Sequence, residues 1–285
     1  MLTGRIERSV PLSVSLKALL GGGLQQFGWI FFGIGMIFVW NFIPNVDYSS
    51  LAFHGKIEHV KGTITSIEET AVSVNDSPII LYYYYFKALD GNEYTGYSYS
   101  TGLQYPPGEA VDVEYPAGKP EHSRIAGMRW EMFSLWALLF LLLPIIGFPF
   151  LYYGLKRGIK TNHLLRNGIL TKGKFISKQA TNTTVNDQRV YKLTFEYKAD
   201  DGKIYQIHHK THETHKLLDE REESLLFDPL DPNGGMLMDA IPGGPKIDAR
   251  GAIMPISHLK TALSLIAPLF VVVSNSMWLL SLIDS

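Results

Sequence analysis

The residues with the clearest capacity for chemistry are four histidines in one short segment of the chain: His208, His209, His212 and His215. Imidazole nitrogens bind zinc and similar divalent ions, and nearby carboxylates can complete such a site. If a short helix begins after Thr211, then His212, His215 and Asp219 share one of its faces. The expected metal ligands are therefore His208, His212, His215 and Asp219. The alternative is an exposed hydrophilic connection between a strand and a helix, because no established spacing such as H-E-x-x-H occurs in the segment.

The sequence carries no motif that assigns a catalytic mechanism. A phosphate-binding loop, a G-x-S-x-G elbow and a glycine-rich dinucleotide fingerprint do not occur. The chain also has no cysteine, which excludes thiol nucleophiles, disulfides and thiolate metal sites. We therefore expect a non-enzymatic protein without a cofactor, apart from a divalent metal at the histidine segment.

Three apolar stretches must hold the candidate functional segments in place. They comprise residues 24–43, 132–155 and 261–283, and none of them contains Asp, Glu, Lys or Arg. Each reaches the length of about 20 residues that a helix needs to cross a bilayer. Their prolines, such as Pro149 and Pro268, are tolerated in membrane helices. The stretches predict three transmembrane helices, with the lipid bilayer as the first partner of the protein.

The distribution of charge predicts an orientation and excludes one class of partner. The chain has 26 basic and 27 acidic residues, and this balance argues against a nucleic-acid-binding protein. Twelve Lys and Arg residues lie near the span ends on one side, and five lie on the other. The positive-inside rule then places the N-terminal tail (residues 1–23) in the cytoplasm and the C-terminus outside. Four tryptophans lie toward the expected outer face: Trp40, Trp130, Trp136 and Trp278.

A duplicated β-unit fills the two segments between the spans. Lys61–Tyr94 aligns without a gap to Lys172–Tyr205, at an offset of 111 residues. Both copies carry Val-Asn-Asp and Asp-Gly turn sequences between stretches typical of strands. We expect five strands and a barrel-like sheet in each copy, at residues 50–128 outside the cytoplasm and 162–250 inside it. The predicted fold class is membrane α+β, with three transmembrane helices and two repeated small all-β domains.

The first copy also contains an aromatic run, Tyr82–Phe86. In a strand these side chains alternate between the two faces, so only two or three of them can share a surface. One interpretation is an aromatic platform for a glycan or a peptide. The other is packing in the core and at interfaces, which we expect because aromatic residues suit strands and cross-strand contacts.

The chain resembles a widespread bacterial membrane-protein family of unknown function. The resemblance lies in the order of helix, β-unit, helix and β-unit, and in the motifs D-G-x-x-Y and V-x-Y-P, the second of which is followed by a later proline. The motifs in the first copy are Asp90-Gly91…Tyr94 and Val113-Glu114-Tyr115-Pro116…Pro120. The family pattern often has Asn before the last proline, whereas this chain has Lys119 and, in the second copy, Asp231. The resemblance implies the architecture and a bacterial membrane setting, and it transfers no catalytic residues.

These observations lead to one main hypothesis and two alternatives for function. The main hypothesis is a non-enzymatic accessory protein of the bacterial inner membrane that binds a membrane or envelope protein, or its own copies. An immunity-type protein or a subunit of an envelope complex would fit this description. Small residues such as Gly28, Gly33 and Gly35 in the first span suit helix–helix contacts. The alternatives are a metal-binding membrane protein that uses the His208–His215 segment, and an envelope hydrolase with Asp, Glu and His in one pocket.

Overall fold

The computed structural model describes residues 7–102, 105–248 and 250–283. The chain forms two compact units, of which one is Gly35–Leu142 and the other comprises the described residues up to Ile34 and from Leu143 onward. The fold is membrane α+β, as the sequence predicts. Its α-helices are α1 (Leu12–Leu20), α2 (Gly23–Phe42), α3 (Ser49–Ala52), α4 (Leu142–Asn167) and α5 (His258–Ile283).

Each copy of the repeat forms a five-stranded antiparallel sheet. The first sheet has the order β3-β2-β1-β4-β5, and the second has the order β10-β9-β6-β7-β8, so equivalent strands take equivalent places. The strands of the first sheet are β1 (Ile57–Val74), β2 (Ser77–Lys87), β3 (Glu93–Thr101), β4 (Ala110–Pro116) and β5 (Arg124–Ile125). Those of the second sheet are β6 (Ile169–Val185), β7 (Gln188–Lys198), β8 (Ile204–Thr211), β9 (Glu222–Asp228) and β10 (Asp231–Leu237).

The Asn-Asp turn has the same backbone conformation in both copies. Asn75 and Asp76 have φ angles of 50° and 62°, and Asn186 and Asp187 have angles of 47° and 60°. Asn and Asp accept this left-handed region more readily than other side-chain-bearing residues. Two successive residues with positive φ form the type I′ turn that joins strands in a two-residue hairpin. The turn therefore fixes the register of the long β1–β2 and β6–β7 hairpins.

The D-G-x-x-Y motif closes the next hairpin through side chains. The Asp90 carboxylate accepts hydrogen bonds from the backbone N–H of Asn92 at 2.9 Å and from the Tyr94 hydroxyl at 2.9 Å. In the second copy the Asp201 carboxylate accepts a bond from the Tyr205 hydroxyl at 2.8 Å. Hydrogen bonds that the charged form accepts lower the pKa of both aspartates. The motif that the two copies share therefore stabilises the turn between two strands.

Alternation along β2 and β7 builds the two cores. Tyr82, Tyr84 and Phe86 are almost completely buried in the first sheet, so three of the five residues of the aromatic run pack in the core. Leu193 and Phe195 do the same in the second sheet. The edge strands β8 and β10 of the second sheet also lie against one another, and this contact gives that sheet a barrel-like shape.

Three segments are long and apolar enough to cross a membrane: Gly23–Asn45, Leu135–Asn167 and His258–Ile283. At most 17% of the residues in the most apolar part of each segment are buried, as expected for helices that face lipid. The second segment differs from the prediction, since it begins with a 3₁₀ turn and continues as α4 to Asn167. The helix extends because Leu164 and Leu165 near its end are buried in a core with Val14 and Ala18 of α1.

Helix α1 lies in the segment for which the sequence indicated only a tail. Its buried residues Val14 and Ala18 are four positions apart, which places them on one face of the helix. The helix also packs against α5, where the Thr261 hydroxyl donates a hydrogen bond to the Ser13 carbonyl at 3.4 Å. The N-terminal segment is therefore part of the compact unit that comprises the described residues up to Ile34 and from Leu143 onward. We call this unit, which also contains the second sheet, the helical unit.

Glycines allow the long helices to approach closely. A Cβ atom at Gly28 of α2 would lie 2.9 Å from the Cβ of Phe150 in α4. A Cβ atom at Gly147 of α4 would lie 2.6 Å from the backbone nitrogen of Phe32. Gly33 lies against Val271 of α5 in the same way. Two of the small residues that the sequence assigned to helix contacts therefore make those contacts within one chain.

Candidate functional site

The histidine segment does not form the predicted helical face. His208 and His209 belong to β8, and the chain after Thr211 makes only a 3₁₀ turn at Thr214–Leu217. The Thr211 hydroxyl accepts a hydrogen bond from the backbone N–H of Glu213 at 3.0 Å and so turns the chain locally. His212 therefore precedes the turn, and Asp219 follows it on irregular backbone.

His208 and His209 point to opposite faces of their strand, as neighbours in a strand must. His208 is exposed, and its Nδ1 lies 3.1 Å from the Thr194 hydroxyl. His209 is half-buried in the helical unit. His215 is exposed on the 3₁₀ turn. The four histidines are thus spread over a strand, the bend that follows it and a turn.

Carboxylates meet more closely than the histidines do. Asp219, Glu223 and Asp239 have ligand atoms that all lie within 4.8 Å of one another. Across residues 7–102, 105–248 and 250–283, this is the only group of three or more such side chains so close, and of the predicted ligands it contains Asp219 alone. Glu223 is buried, and burial raises its pKa, with a further rise from Asp219 and Asp239. Metal binding by His208, His212, His215 and Asp219 stays a prediction.

A cavity of about 980 Å³ lies in the helical unit. Its walls come from α1, the Gly21–Gly23 segment, the first turn of α2, α4, the end of β8, the 3₁₀ turn at Thr214–Leu217, the loop after β10 and the start of α5. This volume is within the range of pockets that hold a small-molecule ligand. The side chains that line it include His209 and two members of the acidic group, Asp219 and Asp239.

Four of the five Lys and Arg side chains that line this cavity form no ion pair within the described residues, and Lys210 is one of them. In the part of the chain that the structure describes, no carboxylate forms an ion pair with Lys17, Arg157 or Lys260. The Lys17 ammonium donates a hydrogen bond to the Lys260 carbonyl at 3.4 Å. Burial, and then the Lys260 charge, lowers the pKa of Lys17. The three side chains therefore give this part of the cavity a positive potential.

His209 is the neutral member of the cavity wall. Burial, and then the neighbouring Arg157, lowers its pKa from an ordinary value near 6.5 to about 4. The imidazole is therefore uncharged at neutral pH and does not add to the positive potential.

Gln25 brings an unsatisfied polar group to the same cavity. It is the third residue of α2, it is 2% exposed, and its Nε2 is a buried donor without a hydrogen-bond partner. Its side chain packs on Gly154 of α4, where a Cβ atom would lie 2.6 Å from the Cβ of Gln25. Buried amide donors are usually paired in native structures, so this one requires an explanation.

Sequence reasoning did not identify Arg157, Gln25 or Lys17 as a group. Each had a local signal, because Arg157 follows the second apolar stretch closely and Gln25 is a polar residue at the start of the first one. Only the packing of α1, α2 and α4 brings them to one cavity.

A second candidate surface is the outward face of β2 and β3 in the first sheet. Tyr83, Tyr85 and Tyr97 are each 39–47% exposed there, and Tyr83 pairs directly with Tyr97 across the strands. The rings of Tyr97 and the half-buried Tyr99 meet edge to face at 6.1 Å. Burial, and then Glu131, raises the pKa of Tyr97, so its hydroxyl keeps its proton at neutral pH. We call Tyr83, Tyr85, Tyr97 and Tyr99 the tyrosine face.

The second sheet has no counterpart of the tyrosine face at the same positions. At the repeat offset of 111, the tyrosines correspond to polar or charged residues on β7 and β8: Thr194, Glu196, His208 and Lys210. The two copies therefore share a scaffold and differ in the chemistry of this outer face.

No protein-family model matches the sequence, and no curated protein matches it. The class of the protein consequently follows from the fold. It is a membrane protein with three apolar helices and two small five-stranded β-domains.

Proposed function

We propose that the protein is a non-enzymatic accessory protein that binds a partner protein through the tyrosine face of its first β-domain. The observation that carries this proposal is the difference between the two copies of the repeat. One copy has four tyrosines, three of them exposed and Tyr99 half-buried, at positions where the other copy has polar or charged residues. A scaffold does not require exposed tyrosines, because the second copy folds without them.

Tyrosine is well suited to protein recognition. Its ring offers a large contact area at a low cost in conformational entropy, and its hydroxyl adds a hydrogen bond. Aromatic residues are enriched at interfaces and among the residues that dominate binding energy. Adjacent rings on two paired strands, such as Tyr83 and Tyr97, form one continuous surface.

The setting that we propose is the bacterial cytoplasmic membrane. The family resemblance supports the bacterial setting, and the excess of Lys and Arg on one side of the spans supports a cytoplasmic N-terminus. In this orientation the tyrosine face lies outside the cytoplasm and meets an envelope protein or a second copy of the chain.

Native mass spectrometry in gentle detergent tests the proposal. We expect the protein from its native host to carry a stoichiometric partner, and Tyr83→Ala combined with Tyr97→Ala to remove it. The matched control is Thr194→Ala combined with His208→Ala at the same positions of the second copy, which should retain the partner. A strictly monomeric wild-type protein without a partner would contradict the proposal.

The hydrolase alternative expects histidine and carboxylates in one pocket, and the cavity does contain His209, Asp219 and Asp239. However, the charged neighbour that acts on His209 is Arg157, and it disfavours the protonated imidazole. The Glu213 carboxylate, which also lines the cavity, is paired with Lys216 at 2.6 Å. The electrostatics of the cavity therefore favour binding of an anion over acid–base catalysis by this histidine.

A further inference from the structure

We propose that the cavity of the helical unit binds a phosphate-bearing ligand, held by Lys17, Arg157 and Lys260 with the Gln25 amide as a neutral donor. This site is independent of the tyrosine face, which belongs to the other unit of the chain.

The charges of the cavity select an anion. Five basic and three acidic side chains line it, and Lys216 and Glu213 neutralise each other as an ion pair. The remaining acidic side chains, Asp219 and Asp239, belong to the carboxylate group around Glu223. The Lys17 ammonium donates to the backbone carbonyl of Lys260, and the positive charge of Lys260 lowers the pKa of Lys17 after burial does. An anion bound between the two side chains would offset this repulsion. Arginine and lysine together are the usual donors to phosphate oxygens.

Gln25 provides an independent indication of a ligand. Its Nε2 is buried and unpartnered, although the side chain lines a cavity wide enough for an acceptor. Nε2 itself is sealed from the cavity, so a rotation of the Gln25 side chain would be needed for a phosphate oxygen to satisfy this donor. The first backbone amides of α2 also lack partners within the helix, and a helix N-terminus favours negative charge. The Gly21–Gly23 segment leaves this terminus free of side-chain bulk.

The position of the cavity along the helices indicates where the phosphate lies. The cavity includes Leu24, where the first uncharged stretch begins, and Lys260, which immediately precedes the third. Arg157 is the second residue after the end of the second stretch. Phosphates of lipid headgroups lie at this level of a bilayer, next to the hydrocarbon core. Phe150 and Tyr153 add an apolar part to the wall, which suits the glycerol and acyl region of a phospholipid.

The same chemistry fits a phosphodiester in a lipid headgroup and a phosphate on a soluble compound. Phosphate binding to the full-length protein in lipid nanodiscs distinguishes the two sources. The probes are phosphatidylglycerol in the nanodisc, followed by native mass spectrometry for retained lipid, and glycerol 3-phosphate in solution, followed by thermal shift. The variants are Arg157→Gln and, separately, Lys17→Gln combined with Lys260→Gln. Lys156→Gln is the matched control, because Lys156 is exposed, neighbours Arg157 and does not line the cavity.

We expect at least a tenfold loss of binding in Arg157→Gln and in the double lysine variant, and wild-type binding in Lys156→Gln. Retention of phosphatidylglycerol that glycerol 3-phosphate does not displace identifies a lipid, and saturable stabilisation by glycerol 3-phosphate identifies a soluble ligand. Two results would overturn the proposal. One is the absence of binding by either probe to the wild-type protein, and the other is equal binding by the wild type and by both folded cavity variants. Arg157→Gln and the double lysine variant remove different cations. If one of them misfolds, the binding measured with the other still tests the proposal.

Discussion

At the residue scale, burial and the neighbouring Arg157 set the protonation state of His209. Together they lower its pKa to about 4, whereas an unfolded histidine titrates near 6.5. Between these two values the unfolded chain binds a proton that the folded chain does not. The free energy of unfolding therefore decreases as the pH falls through this window. Above the window His209 makes no pH-dependent contribution to it.

The replacement His209→Gln tests this effect. Between pH 7.5 and pH 5, the pKa difference corresponds to a loss of about 2 kcal/mol in the free energy of unfolding of the wild type. Glutamine does not titrate, so the variant should lack this part of the loss. Thermal unfolding of both proteins in one detergent at the two pH values measures the difference. Equal pH dependence in the two proteins would show that His209 titrates normally in the fold.

At the element scale, glycine contacts determine how α2 packs on α4. A Cβ atom at Gly147 would lie 2.6 Å from the backbone nitrogen of Phe32, and a backbone atom cannot move aside without shifting the helix. Gly147→Ala should therefore destabilise the protein by about 1–3 kcal/mol through overpacking. Gly23→Ala is the control, because a Cβ atom there would have no neighbour within 4 Å. If Gly147→Ala unfolds at the same temperature as Gly23→Ala or at a higher one, the packing argument is refuted.

The same scale shows how far the sequence predicts the fold. Local signals were sufficient for the strands and hairpins, since the Asn-Asp and Asp-Gly turns act through their own backbone and side chains. They were insufficient for α1, because nine residues form a stable helix only against a partner, and the partner Leu165 is distant in sequence. The predicted helix after Thr211 failed for a similar reason. Leu217 is buried in the second core, and a 3₁₀ turn brings it there.

The candidate sites were predicted only in part. Alternation along β2 predicts that Tyr83 and Tyr85 share the outer face, and the structure confirms this. The tyrosines of β3 join them through the register of the hairpin, which places Tyr97 opposite Tyr83. The cavity could not be predicted, because its cations come from three helices that local sequence patterns do not connect.

At the scale of the whole molecule, the number of membrane-spanning helices determines the topology. If three helices span the bilayer, the two β-domains lie on opposite sides of it. The chain contains no cysteine, so Ser77→Cys and Gln188→Cys each introduce one thiol, in equivalent hairpins of the two copies. We expect a membrane-impermeant maleimide to label Ser77→Cys in intact cells and Gln188→Cys only after the membrane is opened. Labelling of both variants from the same side would contradict the proposed orientation.

The central claim is that the first β-domain recognises a protein through the tyrosine face and that its repeat does not. Site-specific photocrosslinking in the native host tests this claim most directly, with p-benzoylphenylalanine in place of Tyr97 or of the matched His208. We expect a discrete crosslinked species at position 97, whose mass identifies an envelope protein or a second copy of the chain, and no equivalent species at position 208. The absence of a crosslink at position 97, or the same species from both positions, would contradict it.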